Sequence, residues 1–266
     1  MPRPRAQRQR PVCGKLRNAA IWPLLADRGQ VDSTAIRRYI AIMRKRVEHP
    51  GVAEGYDRWA PTYDATPNPV VAIDRRHTFR TLDPRPGERI LDAGCGTGTY
   101  LRMLRGARSV PVGLDFSPGM LRMARRMTPG ASVAQADLNR AFPVRPGSFD
   151  AVVSTLVSEH LTNPRTFFLE AYAALRRGGR FVFSAFHPEL ARAGIQANFE
   201  REGIEYRLGA EPHTMDDYLT NISDAGFRVV EQQEYAADDK LISELPWAAK
   251  HSGRPLLAVL RAERAR

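Results

Sequence analysis

The sequence predicts an α/β fold in which helices cross between the strands of a parallel sheet. Three observations predict it. Residues 89–98 read Arg-Ile-Leu-Asp-Ala-Gly-Cys-Gly-Thr-Gly, a short apolar strand that runs through alternating glycines into a helical pattern with Leu101 and Leu104 on one face. Strand and helix patterns then alternate through residues 87–186, as crossover connections require. Acids also close the second and third predicted strands, at Asp115 and Asp137.

The first strand is centred on Ile90 and Leu91 and is followed by Asp92 and by Gly94, Gly96 and Gly98. Glycine lets the backbone bend sharply and lets a ligand lie against it with no Cβ in the way. The helix behind such a turn presents free N–H groups and a positive dipole end, which suits a carboxylate or phosphate. The spacing is G-x-G-x-G, not the G-x-G-x-x-G of the dinucleotide turn. The second strand, Val110 to Leu114, ends in Asp115, an acid about 20 residues past the glycines, where a ribose hydroxyl pair is gripped in nucleotide-binding sheets. Gln135-Ala136-Asp137-Leu138 closes a third strand, Phe149 to Ser154 forms a fourth, and Arg180 to Ala185 a fifth behind Arg-Arg-Gly-Gly.

These segments together resemble the class I S-adenosylmethionine-dependent methyltransferases, in particular the small-molecule branch (methyltransferase type 11) that includes the ubiquinone and menaquinone C-methyltransferases. The resemblance rests on ILDAGCGTG (90–98), VGLDFSPGML (112–121), ADL (136–138), FDAVVSTLVSEHL (149–161) and LRRGGRFVFSAFHP (175–188), which occur in the family's order and span roughly 49–266. It implies a Rossmann-like fold: a seven-stranded mixed sheet, helices on both faces, and an antiparallel last strand. It also implies S-adenosyl-L-methionine as cofactor and a small molecule as methyl acceptor, methylated at oxygen, nitrogen or carbon, such as a specialised metabolite or a quinone-like compound.

The charge is uneven. The chain has 40 Lys and Arg against 29 Asp and Glu, but residues 1–48 hold 12 of the bases and only 3 of the acids. The remainder is close to neutral, which argues against a nucleic-acid partner for the catalytic part. No apolar run is long enough to span a membrane. Cys13 and Cys95 make no disulfide framework, and a cytoplasmic location is the simplest reading. No His/Cys cluster has metal-ligand spacing, so no metal is expected.

Residues 1–48 are read as a disordered basic extension. It is an extraneous extension with the start near Met43, a basic arm for an acidic partner, or an Arg-rich targeting peptide. Within it Asp32 or Ser33 could cap a helix carrying Ile36, Tyr39, Ile40, Met43 and Val47. The methyltransferase domain is taken as 49–266. Its first motif, Tyr56-Asp-Arg-Trp-Ala-Pro-Thr-Tyr63-Asp64, is broken by Pro61 and cannot be one helix. It reads either as a helix pair packed on the sheet edge or, by resemblance, as the segment that closes over the methionine end of the cofactor through Tyr56 and Tyr63. Asn163, Pro164 and Gly178 punctuate the helix after the fourth strand. Residues 187–213 read as a loop-rich insertion forming a lid. Thr214 to Asp217 opens a helix with a capping box, and Phe227–Val230 and Pro255–Leu260 supply two last strands.

Ligands of open α/β sheets sit at the carboxyl ends of the strands. That rule gathers the glycine turn, Asp115, Asp137, Ser154–Leu156 with Thr155, and His187 around one crevice. Asp115 is the expected ribose acceptor, and Phe116 and Met120 are placed to flank an adenine. By resemblance, Asp137 and the N–H of Leu138 read the adenine edge. Asp92 either orients the glycine loop or approaches the cofactor's amino group. Displacement at a sulfonium needs alignment first and a base only if the acceptor must lose a proton. The candidate bases are His187, His160 and His213. Glu205, Tyr206 and Arg207 either touch the acceptor or are solvated loop residues. The fourth strand lacks the Asp/Asn-Pro-Pro-aromatic string of amino-methylating DNA enzymes and the acid of magnesium-dependent catechol methyltransferases. Two rivals stand beside this reading: an NAD-dependent oxidoreductase, and a catalytically inactive S-adenosylmethionine-binding partner subunit. The oligomeric state stays open, a homodimer among the options.

Overall fold

The computed structural model describes residues 46–266. The readings for residues 1–45, including the capped helix from Ser33, lie outside the described residues. The end of that helical pattern is corrected: Arg46–Glu48, with Val47 at its centre, is a short strand (β1).

The main sheet has seven strands: β2 (Arg89–Ala93), β3 (Val110–Asp115), β4 (Ser132–Gln135), β5 (Phe149–Thr155), β6 (Leu175–Phe186), β9 (Phe227–Ala236) and β10 (Pro255–Arg264), in the order β4-β3-β2-β5-β6-β10-β9. The pairs β4/β3, β3/β2, β2/β5 and β5/β6 are parallel, and β10 runs antiparallel to both its neighbours. The seven-stranded mixed sheet expected from sequence is therefore present. Its inner strands β2, β5 and β10 are apolar on both faces because both faces are covered. Ile90, Ala151, Val153 and Val182 pack into one core, and their chain neighbours Leu91, Val152, Phe181 and Phe183 into the other. The first core is completed by α2 (Pro69–Leu82) and α3 (Thr99–Gly106), through Ile73, Leu82, Tyr100 and Leu104. The second is completed by α5 (Pro164–Ala174) and α7 (Met215–Asp224), through Phe167, Phe168, Tyr218 and Ile222.

Local chemistry sets the helix ends. Asn68 accepts from the N–H of Val70 before Pro69, Ser117 from that of Met120 before Pro118, and Asn163 from that of Thr166 before Pro164. Thr214 and Asp217 form the expected reciprocal box. Ser117 thereby opens α4 (Pro118–Met127) beside the end of β3.

Several boundaries differ from the sequence reading. β6 begins at Leu175, not Arg180: Leu175 is fully buried and pulls the chain into the sheet as soon as α5 ends. The register then jumps from Phe149↔Leu175 to Ala151↔Arg180, so Arg176–Gly179 bulge out, with Gly178 at φ +71°. β9 runs six residues past Val230, to Ala236. Its polar Glu231-Gln-Gln-Glu234 hid it, and such residues suit the sheet's edge position. Asp238 caps an unforeseen short helix, α8 (Asp239–Glu244).

The 187–213 segment is more ordered than a loop. It holds α6 (Pro188–Arg192) and a hairpin of β7 (Asn198–Arg201) and β8 (Ile204–Arg207), turned by Glu202-Gly203 with both φ positive. Phe199 and Tyr206 stack at 4.8 Å, and Phe199 lies 5.0 Å from the ring of Trp59 on α1 (Val52–Trp59). A Cβ on Gly55 would meet Leu208 Cδ2 at 2.1 Å, so α1 and the insertion approach as closely as the missing side chain allows.

One buried polar knot locks α2 to the sheet. Asp74 is 2% exposed and accepts from Ser184 Oγ (2.6 Å), Thr78 Oγ1 (2.7 Å) and the Tyr100 hydroxyl (2.9 Å). Asp74→Ala leaves the buried hydroxyls of Ser184 and Thr78 without their acceptor, while Tyr100 keeps the Asp74 carbonyl at 3.1 Å, a cost of about 3 kcal/mol. The expected result is a melting temperature lower by roughly 5–10 °C, read by thermal denaturation, with Asp64→Ala on the surface as the near-silent comparison.

Candidate active site

The site is built where strand ends, glycine loop and α1 converge. Beyond Ala93, Gly94 N and Cys95 N both donate to Leu114 O at 2.8 Å, which folds the loop back onto the end of β3. Asp115, the last residue of β3, then accepts from Gly96 N (2.8 Å) and Ser117 N (2.9 Å). Gly96 sits at φ +51°, and a Cβ built there would meet nothing within 4 Å, so the loop's backbone faces open space. Gly98, at φ +89°, is the N-cap of α3 and stays outside the cavity lining.

Above the loop lies a cavity of about 300 Å³. Tyr56, Tyr63, Gly94, Gly96, Asp115, Phe116, Met120, Asp137, Leu138, Thr155 and His160 all line it. Phe116 is 42% exposed at its edge, while Met120 is buried beneath. Asp137 accepts from the N–H of Asn139 (3.0 Å). Next to it is a smaller cavity of about 70 Å³, walled by Asp92, Gly94, Gly96, Thr97, Arg75 and Tyr63.

Asp92 is the electrostatic anomaly. It is 1% exposed, and neither carboxylate oxygen has a hydrogen-bond partner. Burial, then the neighbouring Asp115, holds its carboxyl well above the usual carboxylate range. Asp115 is also raised by burial, against the pull of its backbone donors. Two acids close together in a dry place, one of them unpaired, form a socket for a positively charged group. Arg75 reaches the same small cavity, held at 3.2 Å from Asp64 and 3.3 Å from Thr99 Oγ1. Its sequence context, mid-helix with no motif, gave no sign of this.

α1 is fastened to the site by Asp57, whose Oδ1 accepts from Ser117 Oγ and Gly119 N, both at 2.6 Å, at the start of α4. A negative charge is favoured at that helix end. The clamp sets Tyr56, whose hydroxyl and His160 Nε2 share a 2.9 Å hydrogen bond. Burial pushes His160 down to about 4, so the ring is neutral near pH 7. The other two histidines are held elsewhere. His187 caps α6, its Nδ1 accepting from Glu189 N at 3.3 Å, and its Nε2 lies 3.5 Å from Glu234. His213 donates from Nε2 to Leu161 O at 2.6 Å. Neither lines the cavities described here.

Two features escaped the sequence. Leu156 adopts φ +53°, rare for a branched side chain, at the point where the cavities meet. Glu159, beside His160, is buried with Oε2 unpartnered, and burial pushes it up to about 7. The Glu-His pair was visible in the string, but only the fold shows which way each residue points.

A methyltransferase-domain family model matches residues 91–183. An uncharacterized methyltransferase of Emericella nidulans is 30% identical over 231 residues, 70% of this chain and 78% of that protein. The chain belongs to the methyltransferase-domain family. It is also 34% identical over 143 residues to a demethylmenaquinone methyltransferase of Renibacterium salmoninarum, covering 52% of this chain but only 60% of that relative. The crystal structure of an S-adenosylmethionine-dependent methyltransferase from Mesorhizobium loti superposes with a TM-score of 0.62 at 26% identity, covering 72% of this chain and 97% of that one. The α/β sheet described above is thus the Rossmann-like class I methyltransferase fold.

The unpaired acid gives a stability prediction. A carboxyl whose folded value is raised contributes stability that is present below its unfolded value and lost as pH rises. Asp92→Asn should therefore raise the melting temperature of the ligand-free protein at about pH 8, and the gain should vanish towards about pH 4, where the unfolded side chain is protonated too. A gain that grows on acidification would contradict the assignment.

Proposed function

We propose that the protein transfers the methyl group of S-adenosyl-L-methionine to a small-molecule acceptor. The unpartnered Asp92 carboxylate beside the open glycine loop carries this reading, because it is a buried acceptor that lacks a cation and the cofactor's amino group is one. Asp92 would hold that amino group and Arg75 the adjoining carboxylate, in the small cavity they share. Asp115 would accept both ribose hydroxyls, a charged acceptor making the stronger bonds. Phe116 and Met120 would flank the adenine, and Asp137 with the N–H of Leu138 would read its edge. Thr155 lies on the wall below Tyr56 and Tyr63, which close the methionine end.

When bound, the cofactor supplies a sulfonium methyl group open to in-line displacement. The protein's part is alignment and exclusion of water, which together can supply on the order of 7–11 kcal/mol. Tyr56 and Tyr63 shut the cavity from the α1 side, and Asp57 holds them there. His160 fixes the Tyr56 hydroxyl and, being neutral, keeps a second positive charge away from the methyl group. His187 and His213 are tied to capping and carbonyl contacts, which favours His160 among the three as the one acting at the site. Residues 49–266 would form the catalytic domain and 187–213 its lid, docked on α1 through Trp59 and Phe199. The relative from Renibacterium is named for demethylmenaquinone, which supports an apolar small molecule as acceptor. The near-neutral charge after residue 48 supports action without nucleic acid, and the two lone cysteines support a cytoplasmic location. Among the described residues no helix is long and apolar enough to cross a membrane.

Calorimetric titration tests the cofactor. S-adenosylmethionine should bind and NAD should not, and Asp115→Asn should weaken binding roughly 10–100-fold, as loss of charge-assisted bonds implies. Binding of NAD would favour an oxidoreductase instead. Binding of S-adenosylmethionine with no methyl transfer across a broad acceptor panel would favour a non-catalytic partner subunit.

A further inference from the structure

A second cavity, of about 350 Å³, adjoins the first on the far side of Tyr56, Tyr63 and Leu156. Its volume suits a small organic ligand. Its walls are mostly apolar and aromatic: Val70, Phe186, Leu190, Ile195, Trp247 and Leu256. One buried acid breaks this surface. Glu159 follows β5 on a single helical turn, Ser158–His160, so that consecutive residues face different cavities: His160 the first and Glu159 the second.

The Glu159 carboxylate is stabilised from the protein side by its own backbone N–H and by no cation. Oε2 is buried without a hydrogen bond, and Oε1 lies 4.0 Å from His160 Nε2, on a ring that burial keeps neutral. The groups that feel its charge from the packed elements are Tyr56 on α1, Tyr63 on the following turn and Tyr218 on α7, all of them neutral phenols. Lys250 and His251 line the same cavity, and Lys250 lies over the Trp247 ring at 5.1 Å. An acid in a mostly apolar wall, with Lys250 turned to Trp247 and not paired to it, is suited to exchanging a proton with whatever occupies the space.

Resting on the methyltransferase reading, we propose that this cavity holds the acceptor, a largely apolar molecule with a phenol or enol hydroxyl, and that Glu159 is the base that takes the hydroxyl proton. The O–H bond breaks, the proton goes to the Glu159 carboxylate, and the electron pair stays on the acceptor oxygen, where it serves as nucleophile directly or through a conjugated carbon. The carboxyl is left neutral, and the negative charge passes to the acceptor oxygen. A phenol or enol is acidic enough for a carboxylate raised towards neutrality, whereas a plain alcohol is not. Aliphatic and aromatic walls favour a flat apolar body over a sugar or nucleoside.

Binding of 2-naphthol, with naphthalene as the control lacking a hydroxyl, tests this without turnover. Both are titrated at about pH 5.5 and about pH 8.5, on either side of the Glu159 value of about 7. The wild-type protein should bind naphthol on the order of tenfold more tightly at the higher pH, as the ionised carboxylate becomes a charged acceptor, while naphthalene shows no such rise. Glu159→Gln should bind naphthol with no pH dependence. Ile195→Trp, which fills the cavity, should lose both ligands. S-adenosylmethionine affinity should stay within about twofold in both variants, since neither residue lines the first cavity, and this shows that they fold. A naphthol pH profile unchanged in Glu159→Gln, or naphthol binding that survives Ile195→Trp, overturns the proposal. Absence of naphthol binding in a protein that binds S-adenosylmethionine overturns it too. Absence of S-adenosylmethionine binding in the wild type overturns the underlying reading, and this proposal with it.

Discussion

The site depends on a pair of carboxylates at the ends of two adjacent parallel strands. Asp92 and Asp115 are brought together by the β2/β3 register and pressed under a glycine loop, with backbone donors for Asp115 and none for Asp92. Leaving a buried acid unsatisfied costs stability, and the surrounding structure is arranged to bear that cost. The loop is tied down through two N–H bonds to Leu114, and α3 packs behind it through Tyr100 and Leu104. The Asp74 knot fixes α2, and with it Arg75, against the same strands. A fold that keeps an acid dry and unpaired is holding a place for a cation, and the cofactor reading follows from that constraint.

A second layer governs access. α1, the turn carrying Tyr63, and the β7–β8 hairpin share one aromatic cluster around Trp59, Phe199 and Tyr206. Because Asp57 pins α1 to the start of α4 while Trp59 pins it to the hairpin, Tyr56 is held from both ends. It stands between the two cavities, with His160 as its fixed partner. The proposed division of labour follows from this wall. Charged and polar groups gather on the strand-end side, and the insertion side is mostly apolar, with Glu159 as its one acid.

The sheet and the strand-end acids were legible because their signals are local. Alternating glycines, an acid closing each strand, and apolar runs of sheet length can all be read within a few residues. Asn163-Pro164 and Thr214–Asp217 were legible for the same reason. What escaped was set by tertiary contacts. β9 looked polar because it is an edge strand, and β6 was read short because the buried Leu175, not the glycines after it, decides where the strand begins. The hairpin at 198–207 was missed since its apolar positions, Phe199 and Tyr206, are too few to show a period without Trp59 opposite. Arg75 and Glu159 carry no motif of their own, and helix and turn geometry alone aims them at the cavities. The three histidines were ranked by strand-end position, which places His187 near the end of β6 but cannot show that its ring turns to cap α6.

The most direct measurement is a crystal structure of the protein with S-adenosylhomocysteine. The ribose should lie on Asp115, the adenine between Phe116 and the Asp137–Leu138 turn, and the amino group against Asp92, whose oxygens then gain their first partner. A ligand bound elsewhere, or bound in this cavity with Asp92 still unpaired, would contradict the claim that the buried acid is kept for the cofactor.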